Sequence, residues 1–345
     1  MRKIIYIHQS PDWPNFTWNY EKLGSMLAHV RHRQGRLIGR MEGLGFSSQS
    51  DAVLATLTQD VLKSSEIEGE ILNPDQVRSS IARRLGIDIA GAIAADRDVE
   101  GVVEMMLDAT QRFADPLTQP RLFGWHAALF PTGYGGIHPI RVGAWRDDSK
   151  GAMQVISGPI SRERVHFEAP AAKRLQQEMN TFLAWANHTG KSKGSNSNPA
   201  IDPVLKAAVA HLWFVTIHPF DDGNGRIARA IADWALARSE GSSQRFYSMS
   251  SQIRAERGAY YEMLEHTQKS TLDITDWLEW FLACLDRAIT ATETTLGAVF
   301  RKATFWDKHA DGTINLRQQK MLNKLFDGFE GKLTSTKWAM IAKCS

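Results

Sequence analysis

The chain has 345 residues, 43% hydrophobic and 23% charged, with a formal charge of +3. This is ordinary for a globular protein of two or three domains with a well-filled core, and the surplus is too small to demand nucleic acid or an anionic membrane as partner. Two cysteines, Cys284 and Cys344, stand in no metal-ligand or redox pattern, so a cytoplasmic setting is expected. Neither the opening Met1-Arg2-Lys3 nor the apolar run 207–217, interrupted by His211, suits a signal peptide or a membrane span.

In chain order, Leu23, Met26, Leu27, Val30, Leu37, Ile38, Met41 and Leu44 recur at helical spacing, which predicts an amphipathic helix over 18–44, bent near Gly35. Ser50 is read as the N-cap of a second helix through Val53, Leu54, Leu57, Val61 and Leu62. Asn73-Pro74 opens a third, closed by Gly86, and 102–113 and 121–129 read as helices too. Between 134 and 170, five glycines around Met153-Gln154-Val155-Ile156 favour a small hairpin. Helix resumes over 171–185, and 189–199, rich in Gly, Ser, Asn and Lys, reads as a solvated loop. Asp202-Pro203 then caps a very apolar helix, and further helices are read at 225–239, 252–267 and 273–297. The fold class expected is all-α with one hairpin as its only sheet.

From Asn315 onward, two short helices joined by Asp327-Gly328 and Gly331 look like the opening of a winged helix. From Val299 the tail has nine Lys/Arg against four Asp/Glu, a net of +5, as a DNA-binding module would. The sequence stops where a recognition helix should begin, so a helical tail used for packing or for homodimer contacts is an equal reading.

The run His218-Pro219-Phe220-Asp221-Asp222-Gly223-Asn224-Gly225-Arg226-Ile227-Ala228-Arg229 concentrates chemistry in one loop and one helical turn. Pro219 is expected to hold His218 in an extended backbone and to end the preceding helix. An ordinary imidazole is mostly neutral at pH 7 and can take a proton from a hydroxyl. Phe220 reads as a core anchor. Asp222 is a hard oxygen ligand suited to Mg²⁺ between phosphates, and is equally suited to cap the next helix. Gly223, Asn224 and Gly225 allow close backbone approach to phosphate oxygens at a helix N-terminus. Arg226 and Arg229, one turn apart, present guanidinium forks along one edge.

This pattern, H-P-F-x-D-G-N-G-R-x-x-R, resembles the Fic family, whose members typically transfer AMP from ATP to protein side chains. The resemblance implies that Arg226 meets the β-phosphate and Arg229 the γ-phosphate. It implies a flap at Val155, Ile156, Ser157 and Gly158 that aligns the target segment by strand pairing. Tyr260-Tyr261 and Gln268 are similar to the family's adenine pocket, although tyrosines on a helix commonly fill a core. Ser64-Ser65-Glu66-Ile67-Glu68-Gly69 resembles the family's inhibitory motif, S/T-x-x-x-E-G/N. Of five Glu-Gly pairs in the chain, only Glu68-Gly69 has a hydroxyl residue four places earlier, here Ser64. The implied role of Glu68 is to pair with Arg229 in place of the γ-phosphate, and in some relatives to position water for AMP removal.

The organisation expected is therefore an N-terminal helical domain over 1–94 holding the inhibitory motif at 64–69, a Fic core over 95–298 and a partial winged-helix-like tail over 299–345. The activity expected is Mg²⁺-dependent adenylyl transfer from ATP to a Tyr, Thr or Ser hydroxyl of a target protein or of the protein itself. The competing readings are transfer of UMP, phosphocholine or a phosphoryl group, removal of AMP, a nucleotide-sensing DNA-binding regulator, and a toxin paired with an antitoxin. Phosphoryl transfer is disfavoured because phosphoryl-transferring relatives have Lys where Gly225 stands.

Overall fold

The computed structural model describes residues 6–44, 46–89, 91–136, 138–149, 151–159, 162–188, 201–309, 314–326, 334–335 and 337–338. The opening Met1-Arg2-Lys3, the loop read at 189–199, the Asp327-Gly328 and Gly331 junction, Thr336, Ala339 and Cys344 lie outside them. The first helix, α1 (Tyr20–Glu42), is capped by Asn19, whose side chain accepts from Lys22 N, and it runs through Gly35 as one element. α2 (Phe46–Ile67) begins a turn earlier than its expected cap, so Ser50 lies inside the helix and caps nothing. α3 (Pro74–Leu85) starts and stops as read: Asn73 accepts from Asp75 N and Gln76 N, Pro74 fills the first helical position, and Gly86 closes the end. α4 (Arg97–Gln111) and α5 (Gln119–Leu129) pack together, with Asp108 Oδ2 accepting from Arg121 Nε and Trp125 Nε1, each at 2.6 Å.

Two antiparallel hairpins follow, where the sequence reading had one. β1 (Tyr134–Gly135) pairs with β2 (His138–Pro139), and β3 (Gln154–Ser157) pairs with β4 (Arg164–Glu168). The first has only two residues per strand, too few to show a period-2 pattern in sequence. β3 and β4 form the expected flap, with an irregularity in register between Val155 and Ile156.

A short 3-10 turn leads into α6 (Leu175–Asn187), and the centre of the molecule is α7 (Pro203–Ile217). Asp202 caps α7 by accepting from Val204 N, and the helix is buried on all sides from Val204 onward apart from Lys206. Such an all-round apolar helix needs neighbours on every face. α8 (Asn224–Glu240) packs along it, α6 covers another side, and Trp277 Nε1 of α11 (Thr275–Thr295) donates to Ala208 O at 2.8 Å. Between α8 and α11 the helix expected over 252–267 is two, α9 (Met249–Ala255) and α10 (Arg257–Gln268), broken at Glu256. Ser248 caps α9 through Ser251 N. The chain then continues as α12 (Gly297–Lys308), which the sequence reading left unassigned, and α13 (Leu316–Phe326), tied by Trp306 Nε1 to Asn323 Oδ1 at 2.9 Å.

One apolar core joins α1, α2, α4, α7, α8 and α11, including Leu23, Leu57, Val103, Phe214, Leu236 and Phe281. The N-terminal segment is bound to it at both ends. Thr17 N donates to Leu272 O and Thr17 O accepts from Ile274 N, each at 2.9 Å, while His8 Nε2 is 2.8 Å from Glu168 O on the flap. Tyr6 meets Phe167 edge to face at 5.2 Å. Among the described residues no helix is long and apolar enough to cross a membrane.

Two histidines buried outside the loop that follows α7 weaken the fold at acid pH. Burial lowers His126 to about 4 and His211, which also faces Arg229, to about 3. The folded chain keeps both neutral, whereas the unfolded chain takes up a proton on each below about pH 6.5. Their contribution is complete above that pH and is lost as the pH falls toward the folded values. We expect urea denaturation to give a stability about 4 kcal/mol lower at pH 5 than at pH 7 from these two groups. A stability unchanged across that range would contradict the burial of both rings.

Candidate active site

Helix α7 ends at His218, which adopts φ 52 and ψ 59, the left-handed region, and not the extended backbone expected before Pro219. It is the only non-glycine residue with positive φ among the described residues. The conformation is held by partners: His218 N donates to Phe214 O at 3.0 Å, closing the helix, and Arg146 Nε donates to His218 O at 2.8 Å. Arg146 is itself buried, with Nη2 donating to Pro170 O at 2.5 Å and Nη1 paired with Asp148 at 3.0 Å. His218 Nδ1 lies 3.2 Å from Val215 O, so in the neutral ring Nδ1 donates there and Nε2 is the acceptor. Burial, with Arg146 adding to it, pushes His218 down to about 4 against the opposing pull of Val215 O, Glu68 and Asp222.

Phe220 is fully buried and stacks on His126 at 4.2 Å, the anchor role read from sequence. Asn224 closes the loop on itself: Oδ1 accepts from Phe220 N at 3.0 Å and Nδ2 donates to Phe220 O at 2.8 Å. The side chain is thereby used within the protein, and only its backbone can face a ligand. Asp222 does not cap α8; Gly223 occupies that position, while Asp222 Oδ1 accepts from Gly223 N at 2.5 Å and the side chain is exposed. The first-turn N–H groups of α8 have no intrahelical acceptor, an arrangement that favours a negative charge in front of them.

The C-terminal end of α2 meets α8 here. Glu70 N donates to Ser65 O at 3.1 Å and Gly69 N to Glu66 O at 3.1 Å, a Schellman cap. Gly69 takes φ 86, as this cap requires. The cap sets Glu68 and Glu70 on either side of the turn, against two different arginines. Glu68 Oε1 is 2.8 Å from Arg229 Nη2, and Tyr261 OH donates to Glu68 Oε2 at 3.3 Å. Ser64 sits beneath them, with Oγ and O accepting from Arg229 Nε at 3.0 Å and Nη2 at 2.8 Å. Glu70 Oε2 pairs with Arg226 Nη1 at 2.6 Å, and the Arg226 guanidinium lies 5.2 Å over the Phe130 ring. A Cβ on Gly225 would strike Glu68 Oε1, so glycine there is a condition of the close approach.

Burial acts to raise the Glu68 carboxyl, but the charge and hydrogen bond of Arg229 outweigh it and hold the group below its ordinary value. The Arg229 side chain is only 2% exposed while that of Glu68 is 31% exposed. The pair is therefore an ionised contact whose carboxylate lines a cavity, with Arg229 behind it. That cavity, about 630 Å³, is lined by Glu68, Val155, Ile156, Ser157, His218, Asp222, Gly223, Asn224, Gly225, Tyr260, Tyr261 and Gln268, among others. Gly158 lies at the turn beyond the flap strand. Tyr260 is buried with its hydroxyl 2.9 Å from His211 Nε2, Tyr261 is half-exposed, and Gln268 Nε2 donates to Thr216 Oγ1 at 3.2 Å. Ile156 is 49% exposed on the flap edge.

Sequence reasoning missed Glu70, Arg146, His166 and Glu265. Glu70 had a signal, the acid-glycine-acid spacing after Ser64. The others meet the site only through long-range packing. Among the described residues no group of three or more His, Cys, Asp or Glu is placed to hold a metal ion. A lone carboxylate fits Mg²⁺ bound largely by substrate oxygens: Asp222 is exposed beside the N-terminus of α8.

This helical body, its flap hairpin and its loop between α7 and α8 define a Fic-type fold. The chain carries a Fic/DOC region: residues 116–236 match the model described as Fic/DOC family, and residues 6–87 match one described as a domain of unknown function (DUF4172). A Uridine 5'-monophosphate transferase of Xanthomonas campestris pv. campestris (strain 8004) is 32% identical over 125 residues, 36% of this chain and 21% of that protein. The Protein adenylyltransferase Fic of Aedes aegypti is 24% identical over 285 residues, 79% of this chain and 50% of that protein. The chain thus spans half or less of these curated relatives. A crystal structure of a Fic family protein from Desulfovibrio desulfuricans G20 shares the fold, with a TM-score of 0.60 and 20% identity over 96% of this chain and 86% of that one.

The environment of His218 generates a direct test. Followed by NMR of the labelled imidazole, the ring is expected to titrate near pH 4. A midpoint at or above 6.5 would mean that the ring is open to water and that the cavity is not the one described.

Proposed function

We propose that this protein is a Mg²⁺-dependent protein adenylyltransferase held inactive by its own Glu68. The observation that carries the reading is the seat of the Glu68 carboxylate on Arg229, in the cavity that also contains His218 and the N-terminus of α8. His218 Nε2 takes the proton of a Tyr, Thr or Ser hydroxyl on the target as that oxygen attacks the α-phosphorus of ATP. The first-turn N–H groups of α8 and Arg226 receive the negative charge of the departing pyrophosphate. Arg229 holds the γ-phosphate once Glu68 has left it. Asp222 would hold Mg²⁺, which supplies charge neutralisation between phosphates. Tyr261 and Gln268 bound the nucleobase end of the cavity. The flap edge at Val155, Ile156 and Ser157 offers the target main chain a strand to pair with.

The two carboxylates are unequal. The two pairs are similarly enclosed, Arg229 and Glu68 at 2% and 31% exposure and Arg226 and Glu70 at 7% and 37%, but only Glu68 lines the cavity. Similarity to a UMP transferase over 125 residues makes the base preference a question for experiment, answered by offering ATP and UTP side by side.

With α-labelled ATP, Mg²⁺ and lysate proteins as acceptors, Glu68→Gly is expected to raise labelling about 10- to 100-fold, the range of a coupling free energy of ~1.5–3 kcal/mol. Glu70→Gln is expected to raise it by at most about fivefold. Adding His218→Ala to the Glu68→Gly chain is expected to lower labelling about 10²- to 10⁴-fold with the fold retained. Equal labelling by the native and Glu68→Gly proteins would remove the inhibitory role. Undiminished labelling without His218 would remove the base.

A further inference from the structure

The flap carries a second set of groups arranged for proton transfer. Ser157 Oγ, at the end of β3, is 2.6 Å from His166 Nε2 on β4, and His166 Nδ1 is 2.6 Å from Glu265 Oε2 on α10. The order hydroxyl, imidazole, carboxylate is that of a nucleophile with its base and the group that orients the base. Lys269 at 2.7 Å bonds the other carboxylate oxygen, Oε1, and Arg164 Nη2 spans both, at 2.9 Å from Oε1 and 3.1 Å from Oε2, so the carboxylate is held in place beside His166. Glu265 is thereby ionised: burial would raise it, but its bonds to Lys269, His166 and Arg164 bring it to about 2. With the carboxylate accepting from Nδ1–H, the neutral ring keeps Nε2 as the acceptor facing the serine.

The three residues line the same cavity as His218 and the Gly223–Gly225 backbone. Two other hydroxyls in that lining are already committed. Tyr260 is buried against His211, and Tyr261 donates to Glu68. Ser157 is exposed and has a base in contact.

We propose that Ser157 is a self-acceptor, a modification site at which this protein receives the nucleotidyl group it transfers, with His166 as the base and Glu265 as its positioning residue. The inference rests on the nucleotidyl-transfer reading above. Ser157 Oγ attacks the α-phosphorus of the nucleoside triphosphate. A bond from Oγ to phosphorus forms, the bond from phosphorus to the bridging oxygen of pyrophosphate breaks, and the hydroxyl proton passes to His166 Nε2. The resulting imidazolium is stabilised by Glu265. A nucleotide on Ser157 then stands on the flap edge where a target segment would pair, so the modified protein is a poorer transferase.

The test uses the full chain with Glu68→Gly, incubated with ATP and Mg²⁺, and reads intact mass followed by peptide mapping. One adenylate on the peptide containing Ser157 is expected. Ser157→Ala should remove it, Ser157→Thr should restore it, and His166→Gln should slow its appearance at least tenfold. Glu265→Gln should slow self-labelling as His166→Gln does, and Glu265→Asp should restore part of the rate, a rescue by the carboxylate that a purely structural role would not produce. An adenylate found elsewhere and unaffected by Ser157→Ala overturns the proposal. Labelled lysate proteins with no self-labelling overturn it too, while leaving the transferase reading intact. Labelling of neither overturns both.

Discussion

Arg229 is a charge that the fold cannot leave alone. Its side chain is 2% exposed and receives two neutral acceptors from Ser64, while Nη1 has no hydrogen-bond partner among the described residues. A buried guanidinium without an anion costs several kcal/mol, so whichever anion stands against it is held by that penalty as much as by attraction. Glu68 fills the place in this state. Losing the carboxylate without replacement would be costly, whereas in the proposed function a phosphate oxygen takes its place and the charge stays compensated.

The other parts of the site position this contact. The Schellman cap at the end of α2 fixes where Glu68 lies, and Gly225 leaves room for it. The same cap projects Glu70 toward Arg226, so one turn of chain addresses both arginines of the loop. Behind the loop, Arg146 bonds the carbonyls of His218 and Pro170 and so holds His218 in a backbone conformation that its proline neighbour disfavours. His126 and Phe220 stacked beneath the loop keep it rigid. The cavity is thus built from packed elements on three sides and from a two-stranded flap on the fourth.

Much of this was legible in sequence because the loop chemistry is contiguous: base, acid, glycines and arginines fall within twelve residues, and their local geometry follows from a helix end and a helix start. Helices with strong caps, such as α3 between Asn73 and Gly86, were legible for the same reason. What escaped depends on distant partners. The left-handed His218 follows from a hydrogen bond to Arg146, 72 residues away, which overrides the local rule for residues before proline. The Ser157, His166 and Glu265 relay needs strand register and the packing of α10, neither of which has a sequence period. The break between α9 and α10 and the two-residue strands β1 and β2 are too short to alter an apolar pattern.

The central claim is that Glu68 stands on Arg229 where a γ-phosphate would stand. Calorimetric affinities of ATP and ADP, each with Mg²⁺, for the native and Glu68→Gly proteins test it most directly, because the two ligands differ only in that phosphate. The native protein should bind the two about equally, and the variant should prefer ATP by at least about tenfold, the ~1.4 kcal/mol of one charge-assisted contact. The same ATP-to-ADP ratio in both proteins would contradict the account.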